Sequence, residues 1–297
     1  MDLTRAALLA GGAAVAGVIN AVAGGGTLVS FPAAIAAGLS PLPANATNAV
    51  ALTPASLASA WAYRRELARD YRVLGVLFLP SLLGGVVGSA LLLVTPQRVF
   101  DAAVPGLVLV ATLLLLWQNL RPARPSAPAK PSEKDGAAEE FTLPSRPWLV
   151  FLLQFLVSVY GGYFGAGIGI MMLALLSSFG GNVDIHRLNA IKTVLASLIN
   201  GVAALAFLFA GAVDPVATPI MMAAAVVGSL AGAVVARRIA PSKVRWFVVA
   251  LGLVLTAKLG WDRFGPPARR ARPEPPAQTV ERGATAARAG LAPTSTG

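Results

Sequence analysis

Two glycine clusters and two polar stripes are the parts of this 297-residue chain whose residue types and spacing could do chemistry. The first cluster reads Ala23-Gly24-Gly25-Gly26-Thr27 and the second Gly165-Ala166-Gly167-Ile168-Gly169. Each opens an apolar segment that closes on another glycine, Gly38 or Gly180, and is short for a bilayer crossing. Glycines there free the backbone at membrane depth, where irregular chain is tolerated only if buried or lining a wet cavity. A half-helix starting at such a break turns N–H groups and a positive dipole end toward the space before it, an arrangement suited to an anion. Downstream of each cluster, an apolar helix carries polar residues: Asn45, Thr47, Asn48, Thr53, Ser56 and Ser59 in one case, His186, Asn189, Lys192, Thr193, Ser197 and Asn200 in the other. Asn189, Thr193, Ser197 and Asn200 are spaced four, four and three apart and so share a helix face. Lys192 lies beside that face as the cation well inside its apolar block, and an ionisable group at that depth is a functional candidate.

The candidate substrate-binding set is therefore Gly24, Gly25, Gly26, Thr27, Asn45, Asn48 and Thr53 from the first half, with Gly165, Gly167, Gly169, Asn189, Lys192 and Thr193 from the second. Plainer readings stand beside it. Small residues also serve tight helix packing, the reading preferred for Gly84/Gly88 and Gly228/Gly232. Asn, Ser and Thr can simply bond neighbouring helices, and Lys192, two turns from its helix start, can snorkel to the interface. His186, the single histidine, sits at a segment edge and reads as a loop residue.

The elements that must hold these groups follow from composition. Hydrophobic residues make up 56% of the chain and charged ones 12%, against about 25% charged in soluble domains. Mean hydropathy is +0.70. No Asp, Glu, Lys, Arg or His occurs from Ala6 to Tyr63 or from Trp148 to Val183, runs long enough for several helical passes each. The chain reads as an all-α polytopic membrane protein. Its net charge of +11 would suggest nucleic acid in a soluble protein. Here the cations gather in short loops, as Arg64/Arg65/Arg69/Arg72 and Arg237/Arg238/Lys243/Arg245, which is an orientation signal instead. No nucleic-acid partner is expected. Cysteine is absent, and no acid pair, histidine cluster or Ser/His/Asp set falls within the apolar blocks, so no metal, cofactor or enzymatic reaction is expected. Asp101, Asp184 and Asp214 fall at segment ends, where carboxylates suit caps. Leu8 to Ile19 could form the core of a cleavable leader, but Asp2 weakens the basic start and the following stretch stays membrane-like, so retention is expected.

The chain divides into an N-terminal transmembrane repeat (1–118), a polar linker (119–147), a C-terminal transmembrane repeat (148–262) and a basic tail (263–297) expected to be disordered. Asn48-Ala49-Val50 matches Asn189-Ala190-Ile191 at an offset of 141, which also carries Gly24 onto Gly165, Gly26 onto Gly167, Asn45 onto His186 and Ser56 onto Ser197. Gly84-x3-Gly88 recurs as Gly228-x3-Gly232 after a small shift. Five segments fit each half: 6–23, 27–38, 46–66, 73–95 and 99–118, then 148–164, 167–179, 187–210, 215–236 and 244–262. Five is odd, so the second repeat should be inverted relative to the first, as in many secondary transporters. With the Arg64–Arg72 loop in the cytoplasm, the linker, Arg187 and the Arg237–Arg245 loop fall there too. The outer loops 39–45, 95–101 and 211–214 then hold Arg98 as their cation, while the basic tail falls outside.

Asn20-Ala-Val-Ala-Gly-Gly-Gly-Thr-Leu-Val-Ser-Phe-Pro32 and Asn45-Ala-Thr-Asn-Ala-Val-Ala-Leu-Thr-Pro54 resemble the sulfite exporter TauE/SafE family. Gly161-Gly-Tyr-Phe-Gly-Ala-Gly-Ile-Gly169 and His186-Arg-Leu-Asn-Ala-Ile-Lys192 resemble its second copy, although Ala166 and Ile168 interrupt what is often a longer glycine run. The resemblance implies an inner-membrane permease for small sulfur-containing anions such as sulfite or organosulfonates, coupled to protons, with its site between the two breaks near Asn48, Asn189 and Lys192. A non-transporting membrane scaffold and a passive anion channel are the alternatives. Neither substrate, direction nor oligomeric state follows from the sequence.

Overall fold

The computed structural model describes residues 2–22, 25–62, 71–120, 147–179, 185–235 and 241–264. Among them stand ten helices and no strand: α1 (Leu3–Val22), α2 (Thr27–Ala36), α3 (Pro41–Ala62), α4 (Tyr71–Val94), α5 (Gln97–Leu120), α6 (Pro147–Tyr163), α7 (Ile168–Phe179), α8 (Ile185–Phe209), α9 (Ala217–Val235) and α10 (Pro241–Phe264). The central segment 121–146 and residues 265–297, which carry the linker and tail expectations, lie outside the described residues, as does Asp184. Five helices are long and apolar enough to cross a membrane. α3 has the length, at 22 residues, but its polar stripe keeps it out of that group.

The expected segments match the helices, with one informative difference. α3 begins at Pro41 rather than near residue 46, so Asn45 stands in its second turn and not in a loop. Pro41 and Pro43 start this helix because a first-turn proline gives up an N–H that has no intrahelical partner anyway. α6 and α10 likewise open on Pro147 and Pro241.

The second helix of each half is short. α2 has 10 residues and α7 has 12, or about 15 and 18 Å at 1.5 Å per residue. Each is about half as long as a ~30 Å hydrocarbon core is thick.

Packing obeys an exchange rule. α1 packs on α9 and α4 on α6; α3 packs on α9 and α4 on α8; α2 lies on α1 and α10, and α7 on α6 and α5. Swapping every helix for its counterpart five places along turns each pair into its mate. The two remaining large contacts, α3 with α8 and α5 with α10, map onto themselves. Residues at those self-paired crossings are separated by the repeat length. Ser197 Oγ donates to Ser56 O at 2.8 Å across 141 positions, and Gly252 sits against the Thr112 hydroxyl within one position of the same offset. Equivalent residues of the two halves thus meet at these two crossings.

Glycines set the closeness of the mated pairs. A Cβ on Gly84 would stand 2.6 Å from Phe155 O, and one on Gly88 would run into Val159 O and Tyr163 N across the α4–α6 crossing. At the α1–α9 crossing, Gly228 lies on Ala14 O, Gly17 on Ala225 O, and Gly232 on Val18 Cα. The small-residue packing expected for these glycines is what the structure shows. Gln154, fully buried at the α4–α6 seam, donates from Nε2 to Ser81 Oγ at 2.8 Å and joins the two helices in their apolar surroundings.

Asp214 caps α9, as its position at a segment end predicts. Its Oδ1 accepts from Val216 N–H at 2.9 Å and Ala217 N–H at 2.8 Å. Its own N–H donates to Thr47 Oγ1 at 2.8 Å, and its second oxygen meets Arg5 at 3.4 Å. One residue thus joins α1, α3 and α9. The cap should outweigh the ion pair, which is partly exposed. Asp214→Ala is expected to cost about 1–2 kcal/mol and Arg5→Ala under about 1 kcal/mol. Thermal unfolding of the two purified variants in detergent checks the order; a larger loss for Arg5→Ala would reverse it.

Candidate functional site

Each break is built differently. In the first, Gly25 takes φ +90°, a conformation other residues rarely adopt, and Gly26 is the N-cap of α2. The Gly26 N–H donates to Asn20 Oδ1 at 2.8 Å, and a Cβ on Gly26 would collide with Ala16 O. Asn20, inside the motif but given no role from sequence, therefore fixes the turn. In the second break, Gly165 and Gly167 take φ +76° and +77°. The Gly165 N–H reaches back to Tyr160 O at 3.3 Å, while the Tyr160 hydroxyl donates to Ala166 O at 2.9 Å. Tyr160 braces this turn as Asn20 braces the other. Its role had no local signal, since an aromatic on an apolar helix looks like core.

Both breaks lie on α5, one turn apart. A Cβ on Gly25 would meet Leu115 Cδ1 at 3.3 Å, and one on Gly167 would meet Ala111 Cα at 3.5 Å. Ala111 and Leu115 share a face of α5, so the two Gly-rich turns come to neighbouring points on one helix. Gly24 lies outside the described residues.

The polar stripes divide their work. Thr193 Oγ1 donates to Asn189 O at 2.7 Å, Thr53 Oγ1 to Ala49 O at 2.7 Å, and Ser56 Oγ to Leu52 O at 3.1 Å. These hydroxyl protons are spent on the helix's own carbonyls. The amides and the lysine reach elsewhere. Asn45 Nδ2 donates to Tyr163 O at 3.0 Å, holding α3 against the end of α6 two residues before Gly165. Asn48, one turn on and 2% exposed, keeps a buried Oδ1 without a hydrogen-bond partner. Asn200 Oδ1 stands 3.7 Å from the Cβ position of Gly165. Lys192 runs its stem along the start of α7, with Cδ 3.6 Å from the Cβ position of Gly169, and its Nζ donates to Asn189 Oδ1 at 2.8 Å. Thr27 is the half-buried first residue of α2. The structure thus joins Gly165, Gly167, Gly169, Asn189 and Lys192 around the second break and brings Gly25 and Gly26 near it through α5. Thr53 faces Asn200 O at 3.5 Å on the α3–α8 seam instead. His186 belongs to the first turn of α8, and its side chain lies outside the described residues.

An aromatic cluster closes one side. Phe164, just before Gly165, lies edge-on to Phe31 of α2 at 5.4 Å and to Tyr160 at 6.4 Å, while Phe100 near the start of α5 meets Tyr163 at 5.7 Å. These rings join the two halves at the breaks by apolar contact.

The sequence profile of the sulfite exporter TauE/SafE family matches residues 9–259. The chain belongs to the TauE/SafE family. Its relatives include a protein of Haemophilus influenzae called probable membrane transporter protein, 27% identical over 84% of this chain and 92% of the relative. Another, from Escherichia coli K12 and called probable membrane transporter protein YfcA, is 28% identical over 85% of this chain and 88% of the relative. No solved structure matches. Family membership and the apolar helices together make this an integral membrane protein of a transporter family.

The two half-sites of this TauE/SafE chain are unequal. The repeat offset that pairs Asn48 with Asn189 pairs Lys192 with Ala51, which is 0% exposed. The cation belongs to the second half alone. Among the described residues, no ion pair joins a carboxylate to Lys192; the pair found is Arg5–Asp214.

Proposed function

We propose that this TauE/SafE protein is a secondary transporter that exports small sulfur-containing oxyanions, such as sulfite or organosulfonates, across a bacterial inner membrane. Two inverted halves would alternate access around the pair of breaks. The observation that carries the reading is Lys192 lying along the start of α7 at Gly169. A lysine cation and a helix N-terminus at one half-buried point attract a negative charge and give it directional donors. Asn48, with its unsatisfied oxygen, suits a protonated substrate oxygen.

Proton coupling needs a carrier. The described parts of the five spans long and apolar enough to cross a membrane hold no acid apart from Asp101, which stands one turn inside α5, not at its cap as its place near a segment end suggested, and accepts from Gln97 Nε2 at 2.7 Å. We infer that the proton rides on the anion, so that sulfite crosses in its protonated form and an organosulfonate as the bare anion, the pH gradient setting how much sulfite is in the carried form. Sulfite, which takes up a proton readily, then responds to a pH gradient, whereas a strongly acidic sulfonate does not.

The test is radiolabelled sulfite flux in proteoliposomes, with and without an imposed pH gradient. Saturable flux that follows the gradient is expected. Flux that does not saturate and ignores the gradient would replace the carrier with a channel. Absence of flux and of anion-dependent thermal stabilisation in folded protein would favour a scaffold.

A further inference from the structure

The polar groups at the junction where α5 ends and α10 begins lack partners. Gln118 Oε1, Asn119 Nδ2 and Arg245 Nε are all buried there without a hydrogen bond. Buried donors and acceptors in native structures are normally satisfied, and each orphan costs about 1–3 kcal/mol. A group of them at one place points to a ligand that completes them.

Helix register brings the three together. Thr112 of α5 lies against Gly252 of α10. With the second half inverted relative to the first, as the sequence repeat implies, α5 and α10 run antiparallel. Two turns from that contact, counted toward the end of α5 and the start of α10, stand Asn119 and Arg245. Gln118 and Asn119 also lie three and four residues beyond Leu115, on the α5 face that touches Gly25 at Leu115 and Gly167 at Ala111. The orphaned atoms therefore continue the same surface from the breaks to the end of the helix.

A second cation comes with them. Arg245 lies within electrostatic reach of Lys192. Lys192 and Arg245 carry like charges, and no carboxylate is ion-paired to either among the described residues, so an anion near them would be attracted by both. Sequence alone classed Arg245 with the loop cations that set orientation, because the residues that surround it are distant in the chain.

We propose that Arg245 is a second cationic ligand of the anion site, selecting oxyanions that present two oxygens over single-point anions such as chloride. Its guanidinium fork matches two oxygens of one sulfur centre, a geometry an ammonium group cannot offer. Asn119 Nδ2 adds a donor beside it, and Gln118 Oε1 accepts from a protonated oxygen. The assignment rests on the anion-transport reading of the breaks.

The test compares wild type, Arg245→Lys and Arg245→Gln in proteoliposomes, reading the KM for sulfite uptake, its inhibition by sulfate and chloride, and sulfite-dependent thermal stabilisation of the purified proteins. Arg245→Gln is expected to raise KM at least tenfold. Arg245→Lys, which keeps the charge and loses the fork, should fold as wild type and lose the preference for sulfite over chloride. Wild-type KM with unchanged selectivity in Arg245→Lys would overturn the assignment while leaving transport standing. Wild-type protein showing neither sulfite flux nor stabilisation would instead remove the transport reading, and this assignment with it.

Discussion

Lys192→Ala should cut saturable sulfite flux about 10- to 100-fold and leave the protein at least as stable as before. The two effects come from the same charge. A charge-assisted hydrogen bond to substrate contributes about 1.5–3 kcal/mol, and each 1.4 kcal/mol is tenfold in affinity. The ammonium group meets Asn189 Oδ1 and the start of α7, so the variant loses its charge where the anion needs it. The folded protein, in contrast, holds that charge in a membrane span without an ion-paired carboxylate among the described residues, and removing an uncompensated charge relieves a desolvation cost. Lys192→Arg should retain part of the flux. Flux assays beside thermal unfolding separate the effects: undiminished flux in Lys192→Ala would end the role, and a large fall in Tm would mean that Lys192 holds the fold instead.

The largest effects on stability should come from the glycines at the mated crossings. In a helix interior, Gly→Ala ordinarily gains up to about 1 kcal/mol from propensity. At Gly88 and Gly228 the added carbon lands on the carbonyl oxygens of Val159 and Ala14. A backbone carbonyl cannot rotate aside as a side chain can, so the crossing helices must move apart. Gly88→Val and Gly228→Val should each cost at least about 3 kcal/mol, at the upper end of overpacking penalties, and yield little monodisperse protein. Gly75→Ala and Gly106→Ala, where nothing lies within 4 Å of the new carbon, should be neutral or slightly stabilising. Parity between the two pairs in thermal unfolding would contradict the packing account. Because Gly88 and Gly232 hold matching places in the halves, Gly232→Val should behave like Gly88→Val.

Most of the fold could be read from sequence because each span satisfies its own backbone and declares itself by hydropathy. Charge-free runs and glycine landmarks located ten segments. The start of α3 was missed by several residues because Pro41 and Pro43 look like breakers until the first turn is recognised as the place where proline is tolerated. The breaks were visible as glycine clusters, and Lys192 stood out as a charge in apolar surroundings. Their meeting on α5 was not visible. Ala111 and Leu115 are ordinary apolar residues, and nothing in their types marks them as the surface both turns touch. Arg245 was hidden for the opposite reason: a cation beside a loop already had an explanation in the orientation rule. Thr53 and Thr193 belonged to the stripe by spacing, but a hydroxyl can donate to the carbonyl four residues back, and the geometry shows both doing so.

Placing Lys192 opposite Ala51 would also make an anion carrier of the proposed kind sensitive to voltage. A matched scaffold with its cations in one half has a positively charged site when empty and a less positive one when loaded. Across a bilayer, each elementary charge moved is worth about 2.3 kcal/mol per 100 mV. A negative cell interior therefore draws the empty site toward the cytoplasmic side and releases that bias once an anion is aboard. On the export reading, the resting protein would wait facing the cytoplasm, held there by the electric field with no dedicated latch.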